Sequence, residues 1–107
     1  MNVTEFADRA ISFVMTRLGV LPSVVVVRSH PPVVMLALGG RLAGYYGESD
    51  EGPFVVVVAA GRSGKIALLG KVADADELER ALVDHPDLDN DEVSWILSDL
   101  RAARLGP

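Results

Sequence analysis

Two runs of four valines, Val24–Val27 and Val55–Val58, constrain this chain more than any other feature. Consecutive β-branched residues favour extended backbone over helix. Each run is followed by a second apolar segment, Val33–Leu38 after the first and Lys65–Val72 after the second. Successive side chains of a strand point to opposite faces, so a sheet with one wet face alternates apolar and polar residues. The valine runs do not alternate, and both faces of both strands therefore need cover. Burial of one valine side chain contributes about 1.5–3 kcal/mol, so leaving half of them wet would forfeit on the order of 6–12 kcal/mol. That is comparable to the whole stability of a small domain.

The material for cover comes from the two ends of the chain. Asn2 to Leu18 reads as a helix: Asn2 caps it, Glu5 stands in capping-box position, Gly19 supplies the left-handed stop and Pro22 lies just beyond. Its apolar residues occupy more than one stripe, which predicts contact on two sides, by the sheet and by another helix or subunit. Near the other end, Asp74 with Glu77 caps a helix ended by Pro86, and Asp89 with Glu92 caps a last one. Between the ends, five strands are predicted over Val24–Arg28, Val33–Leu38, Arg41–Tyr46, Phe54–Ala59 and Lys65–Val72. Gly39-Gly40 is the expected tight hairpin loop and Gly47–Gly52 an exposed one.

The expected fold is α+β, in the order α-β-β-β-β-β-α-α, one domain over residues 1–107. An antiparallel sheet of about five strands carries the helices on one face. Consecutive pairing would put Arg41–Tyr46 at the centre although it is less apolar than its neighbours. This leaves open a sheet curled towards a barrel, or a strand order other than a simple meander. Three helices cover one face of such a sheet and not both. The uncovered face is expected to bind a second copy, giving a homodimer, with Val24, Val26, Val55 and Val57 as the self-association residues.

Composition narrows the chemistry. Half the residues are hydrophobic and mean hydropathy is +0.30, yet no window approaches the roughly 20 uninterrupted apolar residues of a membrane span. Glu5 and Asp8 inside the first apolar pattern argue against a signal peptide, and a cytoplasmic location is expected. There is no cysteine, which excludes disulfides, thiolate metal sites and thiol catalysis. The net charge of −5 disfavours attraction to nucleic acid phosphates. A nucleic-acid reading would need a basic surface around Arg28, Arg41, Arg62, Lys65 and Lys71. Residues 74–99 hold ten acids and one base, Arg80, so the last two helices form an acidic face, suited to solvation or to a basic protein partner.

No motif establishes catalysis. Ala60–Lys65 approaches a phosphate-binding loop, but Ala59 and Ile66 break the signature and a strand rather than a helix should follow. Asp87, Asp89 and Asp91 have calcium-ligand spacing, but Glu92 stands where the loop glycine belongs and Ser98 where the bidentate glutamate belongs. The histidines, His30 and His85, lie in no nucleophile–base pattern. No cofactor and no metal is expected.

Trp95 falls on the polar, acidic side of the last helix, where it is either packed by a neighbour or open to a partner, with Asp91, Glu92 and Asp99 beside it. The leading expectation is a non-catalytic adaptor or inhibitor-type protein-binding module. The alternative is a small-molecule-binding protein or small enzyme whose pocket, at a subunit boundary, gathers Arg28, His30, Arg41 and Tyr45.

Overall fold

A computed structural model describes residues 1–105. Helix α1 spans Val3–Phe13 and continues into a single π-helical turn, Val14–Leu18. The strands follow as β1 (Ser23–Ser29), β2 (Pro32–Gly39), β3 (Leu42–Ser49), β4 (Gly52–Ala60) and β5 (Ile66–Val72). Helices α2 (Ala75–Val83) and α3 (Asn90–Ala102) close the chain. The strands form one antiparallel sheet in the order β1-β2-β3-β4-β5. The expected α+β architecture and element order are thus observed, and the sheet is a simple meander.

The helix starts are set by the residues that announce them in sequence. Asn2, Asp74 and Asp89 each accept a hydrogen bond from a backbone N–H three residues on, each at 2.8 Å, and thereby satisfy a donor that the helix itself leaves free. At the end of the first helix Gly19 adopts φ 70°, a left-handed conformation that costs glycine nothing.

All three helices lie on one face of the sheet. Ala10, Phe13, Val14 and Leu18, then Leu78 and Leu82, then Val93, Ile96 and Leu100 join Val34, Leu36, Leu38, Val55, Val57 and Val72 in a single core. The two-sided contact expected of the first helix is made within the chain, where α1 packs on β1 and β2 and its π turn meets α2.

The modest hydropathy of β3 has a packing cause. Gly44 sits on the core face between Leu38 and Val55, and a Cβ there would lie 3.2 Å from Leu38 Cδ1. The glycine makes room for the larger neighbours. Tyr46, two residues on, lies against the rings of Phe6 and Phe13, with centroids at 5.2 and 5.8 Å. The central strand is therefore buried through small and aromatic residues rather than aliphatic ones.

Candidate functional site

Register fixes which side chains face away from the helices. Val34, Leu36, Val55 and Val57 are fully buried beneath them, and cross-strand partners share a face. On the opposite face lie Val25, Val33, Met35, Ala43 and Tyr45, paired in register as Val25–Met35 and Met35–Tyr45. The same face continues through Phe54, Val56 and Val58 of β4, which pair Val56 with Tyr45 and Lys71, and Val58 with Ala43 and Leu68. Ile66 and Leu68 complete it, 65% and 62% exposed. Its charged members lie towards the margins: Arg28 on edge strand β1, and Lys71, whose ammonium covers the Phe54 ring at 4.4 Å. The outer face is apolar and carries no helix.

This placement corrects the assignment of the self-association residues. Val55 and Val57 belong to the core beneath the helices, and Val24 packs against that core too. Val26 pairs with Val34 and so shares its helix-side face, although it stays 48% exposed near the sheet edge. The outer members of the second quartet are Val56 and Val58. A run without alternation gives no indication of which parity faces inward.

The outer face has relief. Near the β2–β3 turn, small residues (Ala37, Gly40, Ala43 and Ala60, beside Val58 and Ile66) border a depression of about 280 Å³. Tyr45, 40% exposed, stands two residues along from Ala43 on the same face.

The part of the acidic face around Trp95 and Glu92 is occupied by the chain's own groups. The Arg41 guanidinium lies over the Trp95 ring, 3.3 Å from its centroid, and Arg41 Nε is 3.8 Å from Asp99 Oδ2. Trp95 is thus packed from within, by the β2–β3 turn, and remains 42% exposed. Asp91 approaches Arg62 at 3.8 Å. Glu92 is corrected outright as a partner-binding residue. It is 5% exposed, and its carboxylate accepts hydrogen bonds from the backbone N–H groups of Asp89 (3.2 Å) and Arg62 (2.9 Å). The loop that approaches a phosphate-binding signature therefore already holds an anion, supplied by α3. Glu92 also donates its backbone N–H to Asp89, which holds the Asp89 carboxyl below its ordinary pKa.

Within one chain the residues of the alternative pocket are not brought together. Arg28 and His30 lie at the β1–β2 turn and Arg41 at the β2–β3 turn, the opposite ends of β2. An eight-residue strand separates such ends by about 25 Å. Tyr45 lies between them on the outer face, and Arg28 Nε donates to the carbonyl of Pro31 in its own turn. The bases that a nucleic-acid surface would require are dispersed: Arg41 is on Trp95, Arg62 near Asp91, Lys65 on the Asp87 carbonyl and Lys71 on Phe54.

An open groove of about 510 Å³ runs between α1 and the β3–β4 hairpin, past Arg9, Ser12, Thr16, Arg17, Tyr46 and Pro53. There Tyr46 donates its hydroxyl to Glu48 Oε2 at 2.8 Å, and Glu48 pairs with Arg9 at 3.3 Å. Burial, and then the Glu48 hydrogen bond and charge, push the Tyr46 pKa up to about 12. The phenol is thereby held protonated across the physiological range, the opposite of what a catalytic base needs.

Among the described residues no group of three or more His, Asp or Glu is placed to hold a metal, and no helix is long and apolar enough to cross a membrane. No protein-family model, curated protein or solved structure matches this chain.

Proposed function

We propose that this chain is a non-catalytic protein-interaction module that self-associates through its outer sheet face and leaves its acidic helices pointing away from the joint. The observation that carries this reading is the apolar outer face of β1–β5, which no element among the described residues covers. Five strands about 4.8 Å apart and some seven residues long give a projected area on the order of 500 Å². Side-chain relief adds to that, which brings the face close to the ~800 Å² per partner of a standard interface. It also lies at the upper end of the apolar patches that monomers tolerate.

A second copy is the occupant that fits. A two-fold interface sets one patch against itself, so it needs a projection and a recess within the same patch. Tyr45 and the depression beside Ala43 supply both. The resulting order of layers is helix, sheet, sheet, helix, with each inner face packed about 10 Å from the other. In that arrangement Asp76, Asp84, Asp87 and Asp91, all exposed, remain on the outside, where they form a field suited to a basic protein partner.

Sedimentation of the unmodified chain and of Val56→Lys tests the reading. A lysine in the middle of the face would have to be buried unpaired at the joint, so the variant should dissociate at concentrations where the parent chain stays associated. Equal sedimentation of the two, with Val56→Lys folded, would refute the outer-face joint.

A further inference from the structure

The two edges of the sheet are guarded very differently. At β5, Lys65 precedes the strand, Lys71 lies near its end, and the register shifts opposite Val57–Val58, with Gly70 at φ 88°. The loop between α2 and α3 also closes on this edge. The backbone N–H of Asp87 donates to His85 Nδ1, so His85 Nε2 carries its proton and donates to the Leu68 carbonyl at 3.0 Å; Lys65 Nζ donates to the Asp87 carbonyl. Charges, a bulge and a covering loop are the usual protections of a strand edge. At β1 there is no charged side chain from Ser23 to Val27. The shift against β2 falls only after Val26, so Ser23–Val26 is a regular strand with one side unpaired. Val25, Val26 and Val27 are 52%, 48% and 56% exposed. Val26 faces the helix side, and its exposure shows that the helix layer stops short of this edge.

We infer that β1 is a strand-addition site and that its occupant is β1 of a second copy, paired antiparallel about a two-fold axis so that two sheets become one of ten strands. The segment is complementary to itself. With the axis on Val25, Val24 lies opposite Val26 and Ser23 opposite Val27, and neither Arg28 meets a like charge. An axis on a residue also keeps parity: both helix layers then lie on one side and both outer faces on the other. The apolar plane proposed above as the self-association face would therefore run on across the joint. Because β5 is guarded, each chain offers one open edge, and edge pairing stops at two copies instead of growing into a fibre. The edge pairing does not depend on the outer-face joint. If both form, the assembly holds four chains.

The absence of cysteine makes the test direct. Val26→Lys alters the edge and leaves the outer face untouched, whereas Val56→Lys does the reverse. Light scattering should give four chains for the parent, two for each variant and one for the double variant. Val26→Cys in the Val56→Lys background should be joined to itself by a short bis-maleimide, since diagonal cross-strand neighbours lie about 7–8 Å apart. Halving by Val26→Lys alone, with Val56→Lys unchanged in mass, would support the edge joint and remove the outer-face joint. An unchanged mass for Val26→Lys, or no self-linkage of Val26→Cys, would overturn the edge pairing. Absence of linkage is also the result expected if a strand of another protein takes that edge.

Discussion

At the scale of single residues, several polar side chains are engaged within the chain itself. Tyr46 is the clearest case. Its raised pKa means that the folded state favours the protonated phenol. The corresponding stability is fully present below the ordinary tyrosine value near 10 and is lost as pH rises through about 12. Tyr46→Phe keeps the ring packing against Phe6 and Phe13 and removes the titration. Urea midpoints measured from pH 9 to 12 should fall more steeply for the parent than for the variant; parallel curves would count against the Tyr46–Glu48 assignment. A second expectation concerns Arg41 and Trp95. A double-mutant cycle on Arg41→Ala and Trp95→Ala should show a coupling of about 0.5–1 kcal/mol, as for a partly exposed cation–π pair. Zero coupling would mean that the stack contributes nothing. Sequence places Trp95 on the polar side of its helix but cannot reveal Arg41 as its cover, because the two are joined only when the β2–β3 turn folds back to α3.

At the scale of elements, what was legible depended on whether the signal is local. Helix starts are local: an acid or amide followed three residues later by a glutamate satisfies the first free amides wherever it occurs, and all three starts are found where sequence puts them. Strand existence was legible for the same reason. Facing was not, because Val24–Val27 and Val55–Val58 look the same from either side, and the register shifts near Val27, Leu38 and Leu69 leave no mark in composition. The role of Gly61 was hidden too. Its φ of −85° is open to any residue, but a Cβ there would sit 2.4 Å from Glu92 Oε2. Gly61→Ala should therefore push Glu92 off the Asp89 and Arg62 amides and cost about 1–2 kcal/mol. Thermal unfolding would show it, and an unchanged midpoint would mean that the Glu92 bridge is dispensable.

At the scale of the whole molecule, one helix layer is mismatched to a sheet that is apolar on both sides. The demand for cover was legible in the two valine quartets; the residues that carry the demand, Val56 and Val58 of β4 with Tyr45 of β3, are set only by the register. The molar mass of the unmodified chain by light scattering, over a dilution series in the micromolar range, tests this most directly. The mass should be a whole multiple, greater than one, of 11.4 kDa, falling towards that value only on dilution. A constant 11.4 kDa throughout the series would contradict self-association through the outer face.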